Sequence, residues 1–150
     1  MIYSAGIIPY RINAEGEMEF FVGHPGGNHW NSRNLWMFLK GQVEDNENWR
    51  TTAIREFQEE TNLTLPEEVL NNLIPLGSVL QNSHKTTIAF GLYYPDIDPN
   101  NCVSNMADDG SCREIDDYQW MTYDKLKDVT HRTHIGFYEQ LMSMNNAENY

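Results

Sequence analysis

Residues 41–63 read GQVEDNENWRTTAIREFQEETNL, and this stretch decides how the rest of the chain is understood. A helix that begins near Asn46 or Asn48 and covers roughly 48–61 places Glu56, Glu59 and Glu60 at i, i+3 and i+4, three carboxylates on one face. Ile54 and Phe57 together then point roughly 120–150° away from the middle of that face, at about 100° per residue. One side of the helix is expected to be buried and the opposite side crowded with negative charge. Such crowding is unfavourable in a plain helix. Like charges at i,i+4 cost on the order of 0.2–0.5 kcal/mol per pair. Glu59 and Glu60 also lie near the helix C-terminus, where the macrodipole disfavours anions. A divalent cation would reverse both penalties.

The spacing narrows the chemistry. Gly41 is followed six residues on by Glu47, and eight residues later by Arg55-Glu56. Then come apolar Phe57, Gln58, the Glu59-Glu60 pair, Thr61, Asn62 and apolar Leu63. The series resembles the Nudix box, G-x5-E-x7-R-E-U-x-E-E-x-G-U with U apolar, at every fixed position but one: Asn62 stands where the family has Gly. That position follows a helix end and calls for the left-handed conformation, for which Asn is the next-best residue after Gly. The exchange touches the helix exit and leaves the carboxylate face aligned. Outside the box, AGIIPYR (5–11), HPGG (24–27) followed by Trp30, LWMFLKGQ (35–42), PLGSVLQ (75–81) and EIDDYQWMTYDKL (114–126) are similar to a branch of MutT-like Nudix proteins. That branch includes small phage and bacterial members acting on ADP-ribose, dinucleoside polyphosphates or FAD. The wider family usually has Pro-Lys-Gly ahead of the box, where this chain has Leu39 for the Pro.

The resemblance implies Mg²⁺-dependent hydrolysis, with Mn²⁺ as a substitute, of the pyrophosphate bond in a nucleoside diphosphate linked to another moiety. Hard cations take oxygen ligands, and phosphoryl chemistry leaves a protein mainly positioning and charge stabilisation to do. Carried over residue by residue, Glu56, Glu59 and Glu60 hold one to three Mg²⁺, with the Gly41 carbonyl as an extra ligand. Glu47, at the loop–helix junction, either ligates through water or pairs with a basic side chain. Arg55 orients a neighbouring carboxylate through its fork. Glu56 is the first candidate for the base that activates water. Glu114, just before the last strand, is the alternative, or else an ordinary loop residue.

Other residues have two readings each. Lys40 offers a point charge to a substrate phosphate or is a solvated loop lysine. His24, Gly26 and Gly27 let the backbone approach substrate or form a surface turn. Trp30, Trp36 and Tyr93 stack on a base or belong to the core. His131 and His134 lie three apart without further metal-ligating partners, and His29 and His84 receive no role.

Working outward, IYSAGIIPYRI (2–12) reads as a first strand in which Pro9 marks an edge or a bulge. A turn at 13–17 leads to a second strand over 18–24, closing a hairpin. A Gly- and Asn-rich loop (24–34) precedes a short strand, LWMFL (35–39). After the box helix, PEEVLNNLI (66–74) is a short helix with Pro66 in its first turn. Strands follow at 75–82 and 86–94, joined by a turn at 83–85. A long polar surface loop spans 95–112. The last strand is 118–122, helices cover 124–129 and 133–144, and the tail past Asn145 is expected to fray. Strands interleaved with helices suggest helices on both faces of a mixed sheet. The resemblance implies the α/β (α+β) class, a Nudix-type α/β/α sandwich, with residues 1–150 as a single domain.

Composition bounds the rest. At 150 residues, 40% hydrophobic, the chain can bury one sizeable core. It lacks the run of roughly 18 apolar residues that spans a membrane, and its N-terminus has no signal core. Cys102 and Cys112 are read as free thiols in a reducing cytoplasm, the host's if the chain is phage-encoded. A net charge of −12 argues against binding DNA through its backbone. It demands local compensation for an anionic nucleotide, which bound Mg²⁺ would give. The expected partners are a small-molecule nucleotide and, as in similar proteins, a second copy in a homodimer. Within the enzyme class the runners-up are an RNA 5′ pyrophosphohydrolase, weakened by only 10 Lys and Arg, and a nucleoside triphosphate pyrophosphatase. A catalytically silent nucleotide-binding module is the reading from another class. The intact Glu quartet speaks against it, because such a module needs no paired like charges.

Overall fold

Strand β1 (Ile2–Ile12) is the axis of a six-stranded mixed sheet in the computed structural model, which describes residues 1–27 and 33–148. Along one side β1 pairs in parallel with β5 (Lys85–Tyr93), from Ile2 opposite Lys85 to Tyr10 opposite Tyr93. Its other side is divided between two antiparallel partners. Ser4 to Ile7 pair with β3 (Leu39–Gln42), and Tyr10 to Ile12 pair with β2 (Met18–Pro25). Strand β4 (Ile74–Asn82) lies outside β5, and β6 (Ile115–Thr122) lies outside β2.

Pro9, expected at an edge or a bulge, sits inside this central strand. The Tyr10 carbonyl accepts from Tyr94 N–H on the β5 side, while the Tyr3 carbonyl accepts from Val43 N–H on the other. Backbone polar groups alternate sides along a strand, so Pro9 shares the side of Tyr3. There it falls after Ile7 leaves β3 and before Tyr10 meets β2. No ladder bond is due at that gap, so the missing N–H costs nothing.

The two faces of the sheet carry separate cores, as period-two alternation requires. Ala5, Ile7, Phe21, Ile88 and Phe90 face Ala53 and Phe57 of α1 (Trp49–Thr61). Ile8, Phe20, Val22 and Ala89 face Phe137, Tyr138 and Leu141 of α4 (Ile135–Glu148). Each fully buried large apolar side chain contributes about 1.5–3 kcal/mol. The result is the expected α/β/α sandwich with a mixed sheet. Among the described residues no helix is long and apolar enough to cross a membrane, and both cysteines are free thiols.

Several boundaries differ from the sequence reading. The third strand is displaced from 35–39 to Leu39–Gln42, because Ser4 to Ile7 of β1 pair with 39–42. The preceding stretch makes only an isolated bridge, Met37 to Gly23, and sinks Trp36 and Phe38 into the α4-side core. Helix α2 is one turn, Glu67–Leu70, and Pro66 lies just outside it as the cap. The last strand starts earlier, at Ile115, because Asp117 and Ile115 continue the ladder opposite His24 and Pro25. The predicted helix at 124–129 is the short α3 (Tyr123–Leu126). The chain beyond Asn145, expected to fray, continues α4 to Glu148.

Candidate active site

The box helix is seated where β1 meets β3. Asn48 caps α1 with its side chain accepting from Thr51 N–H at 2.8 Å. Asn62 ends it at φ 60°, ψ 24°, its N–H donating to the Gln58 carbonyl at 2.8 Å, so the residue that replaces the family's Gly does adopt the left-handed conformation. Gly41 lies opposite Ala5 in the ladder beneath this helix. A Cβ on residue 41 would fall within the carboxyl group of Glu56. Only glycine allows that approach.

Arg55 organises the carboxylates. Its Nε donates to Glu47 Oε2 at 2.7 Å and its Nη2 to Glu47 Oε1 at 2.9 Å. Nη1 donates to Glu56 Oε1 at 2.9 Å and to Glu59 Oε2 at 3.2 Å, and Nη2 also reaches the Gln42 carbonyl at 3.1 Å. Arginine has five N–H donors, and each has an acceptor here. Glu47 Oε1 takes two more bonds, from Glu44 N–H at 3.0 Å and Thr52 Oγ1 at 2.9 Å. The Arg55 fork, reinforced by these, holds the Glu47 carboxyl down to about 2. Glu47 thus pairs with a basic side chain, one of the two roles expected for it.

Glu60 departs from the expected exposed face: it is only 5% exposed. It lies three residues beyond Phe57, hence about 60° from it around the helix, and turns toward the sheet. Its Oε2 is sealed from solvent and has no hydrogen-bond partner. Burial, with Glu56 and Glu114 nearby, pushes its carboxyl well above the usual range, against the pull of Lys40. Glu56 is pushed up to about 6, mainly by burial and despite Arg55. Burial, Asp108 and Glu59 raise Glu114. Lys40, half-buried on β3 rather than in a solvated loop, is pushed down to about 7 by burial and by Lys85, while Glu60 and Glu56 hold it up.

These groups line one open cleft of about 810 Å³, in which Lys40, Gly41, Glu56, Glu59, Glu60 and Glu114 meet. Asn105 and Asp108 also line it, two residues that nothing in the sequence sets apart from the polar loop around them. That loop is tied to the end of α1: Asn105 N–H donates to the Glu59 carbonyl at 2.8 Å and Val103 N–H to the Thr61 carbonyl at 3.1 Å. The Tyr118 hydroxyl, buried under the helix, donates to the Glu60 carbonyl. Three successive last-turn carbonyls are thereby satisfied, and Glu114 is held to the same loop through its N–H on the Asn105 carbonyl at 3.0 Å.

Other candidates lie elsewhere. Neither Gly26 nor Gly27 is among the residues lining the cleft. The room at Gly26 is taken by the Arg113 carbonyl, and its N–H donates to the Glu114 carbonyl at 2.9 Å. Gly27 has φ 99°, next to Cys112 Sγ. His24 binds Asp116 and the Arg33 carbonyl. Trp36 is core, and Tyr93 is exposed beside Tyr10. Trp30 and His29 fall outside the described residues. The rings of His131 and His134 lie 5.2 Å apart, tilted by 34°, with His134 fully buried against Gln81.

Among the described residues no three His, Cys, Asp or Glu side chains converge as metal ligands; Glu56 and Glu59 lean on Arg55 instead. The donor set still fits a hard cation: carboxylate oxygens, one of them orphaned and buried, above a glycine whose missing side chain leaves Glu56 room.

A mixed sheet between two helical layers, with a carboxylate-bearing helix seated on a glycine of the third strand, defines a class of hydrolase. The NUDIX domain family matches residues 3–141, and the chain belongs to that family of hydrolases. Similar solved structures include a binary complex of the C. elegans Ap4A hydrolase, at 20% identity and TM-score 0.67, covering 98% of this chain and 99% of that one. The NUDIX domain of Shewanella oneidensis NrtR complexed with ADP ribose matches at 12% identity and TM-score 0.67, covering 95% and 88%. A mutT/nudix family protein from Listeria innocua matches at 18% identity and TM-score 0.65, covering 98% and 95%. At these identities the likeness is one of fold. No curated relative matches the chain in sequence.

Proposed function

We propose that the protein is a divalent-cation-dependent pyrophosphatase that cleaves the P–O–P bond of a nucleoside diphosphate linked to another moiety. The observation that carries this is Glu60 Oε2, a carboxylate oxygen sealed from water without a partner. Burying such a group unpaired is costly, and a cation shared with Glu56 and Glu59 removes the cost. Those three carboxylates, with the Gly41 carbonyl, would hold Mg²⁺ or Mn²⁺, which supplies Lewis acidity and a more acidic water. Glu47 supports the set through Arg55.

The chain's own residues then have distinct tasks. Glu56, whose carboxyl burial pushes up to about 6, is the first candidate to accept a proton from water. Glu114 faces the same cleft and is the alternative base. Arg55 holds Glu56 and Glu59 in place. Lys40, held down to about 7 by burial and by Lys85, would take up its proton beside a substrate phosphate in the cleft and pair with it. The likeness to an Ap4A hydrolase and to a domain complexed with ADP ribose supports dinucleoside polyphosphates and ADP-ribose as the first substrates to try, with FAD next.

The test is Mg²⁺-dependent release of AMP from ADP-ribose and diadenosine tetraphosphate by the wild type and Glu60→Gln. A loss of turnover in Glu60→Gln is expected; equal turnover sinks the assignment. The base is the residue whose Gln variant loses ~10²–10⁴ in rate. If Glu114→Gln falls that far while Glu56→Gln keeps most activity, Glu114 takes the role.

A further inference from the structure

A recess of about 590 Å³ adjoins the carboxylate cleft, and the two share Arg55, Glu59 and Asn105 as walls. The rest of its lining is different in kind: Gln58 from α1 and Asn62 at its C-cap, with Val103, Ser104 and Arg113 from the loop before β6. Among the described residues Glu59 is the one acid on its wall, and its Oε2 already accepts from Arg55. Arg113 donates through Nη1 to the Ser104 carbonyl at 2.9 Å, which fixes the side chain without neutralising it. Among the described residues no carboxylate pairs with Arg113. Its Nε and Nη2 remain as a two-pronged donor, the geometry that matches two oxygens of a phosphate. In a chain of net charge −12, this is an uncompensated guanidinium beside a site for anhydride hydrolysis.

We propose that this recess holds the half of the substrate beyond the scissile bond, and that Arg113 grips a further phosphate carried by that half. The proposal rests on the pyrophosphatase reading above. The volume lies within the roughly 300–1,000 Å³ of small-ligand pockets. Val103, half-exposed, gives an apolar flank, and the amides of Gln58, Asn62 and Asn105 can bond hydroxyls or base edges. Arg113 is a specificity determinant: it acts on the binding of substrates with additional phosphates and leaves the chemical step to the carboxylates.

The experiment compares KM and kcat for diadenosine diphosphate and diadenosine tetraphosphate in the wild type, Arg113→Gln, Arg113→Lys and Gln58→Glu. Arg113→Gln is expected to raise KM for the tetraphosphate about tenfold or more relative to the diphosphate, with kcat changed less than about threefold. Arg113→Lys recovers part of the loss. Gln58→Glu, an exposed helix position that does not burden the fold, repels the same phosphate and raises the same KM ratio. Equal shifts for both substrates, or a fall in kcat at constant KM, mean that Arg113 only shapes the loop carrying Glu114, and overturn the proposal. AMP is also titrated in EDTA and followed by NMR. Shift changes at Arg113 and Asn105 that vanish in Arg113→Gln and weaken in Gln58→Glu support the recess. Unchanged affinity in both variants overturns it. A wild type that hydrolyses neither of these nor ADP-ribose or FAD defeats the pyrophosphatase reading instead, and the AMP titration then decides the recess alone.

Discussion

The carboxyl group of Glu56 occupies the place where a side chain on Gly41 would begin. The obstructing atoms are the far end of a flexible side chain, so the conflict has a cheap resolution: Glu56 swings aside. Gly41→Ala is therefore expected to leave the fold almost intact, with a melting temperature within about 3 °C of wild type, equivalent to about 1 kcal/mol. Activity should fall about 10²-fold, because a misplaced catalytic group is costly even at 1 Å. Thermal melts beside kcat/KM measure the two separately. A melt lowered in proportion to activity would mean that the backbone, not Glu56, had moved.

Arg55 spends every donor on four acceptor groups: Glu47, Glu56, Glu59 and the Gln42 carbonyl. A lysine keeps the charge but cannot bridge them. Arg55→Lys should lose the two-point contact to Glu47, at about 1.5–3 kcal/mol for hydrogen bonds to a charged group, readable as a lower urea midpoint. It should also weaken Mg²⁺ activation, since Glu56 and Glu59 lose their common anchor. Full stability in the lysine variant would show the fork to be incidental.

Protons and cations should compete for the carboxylate cleft. Glu56 is pushed up to about 6 from an ordinary 4.5, and Glu60 is pushed up as well. A carboxyl raised in the folded state costs stability as pH rises through that window, because the unfolded chain ionises more readily. Glu47, held down to about 2, has the opposite sign, and its contribution is lost only as pH falls below 4.5. Mg²⁺ should therefore stabilise the protein more at pH 7.5 than at pH 5. At a hundredfold excess over Kd the gain is about 2.7 kcal/mol, or about 5–10 °C in Tm for a chain of this size. Differential scanning with and without EDTA checks this, and Glu60→Gln should abolish most of the shift.

What could be read from the sequence divides along local and non-local lines. The left-handed exit at Asn62 is a property of a few adjacent residues and follows from the resemblance to the box, whereas the sequence admits either Asn46 or Asn48 as the helix start and the cap falls on Asn48. The burial of Glu60 depends on how far α1 rolls toward the sheet, which helical periodicity alone leaves open. Pro9 looked like an edge residue because the gap it exploits is created by β2 and β3, which are separate in sequence but share one side of β1. The loop from 95 to 112 reads as a polar surface segment. Its specificity lies in backbone N–H groups of Val103 and Asn105 that close α1, and backbone groups have no sequence signature.

His24 offers a test of that loop's surroundings away from the carboxylates. Its Nδ1 lies 2.7 Å from Asp116 Oδ1 and its Nε2 lies 2.6 Å from the Arg33 carbonyl. Both partners only accept, so the ring satisfies both only when doubly protonated. Burial works against that charge, but the Arg33 carbonyl and Asp116 outweigh it and raise the imidazole above its ordinary 6.5. The sign follows from linkage: the stabilisation is complete below the unfolded value and fades as pH rises through the folded one. His24→Gln should therefore cost more stability in urea at pH 6 than at pH 9. Ring nitrogen shifts in NMR should place the His24 midpoint above 6.5 in the wild type and lower in Asp116→Asn. A midpoint below 6.5, or a penalty for His24→Gln that grows with pH, would mean that the ring is neutral and that one of the two short contacts does not hold in solution.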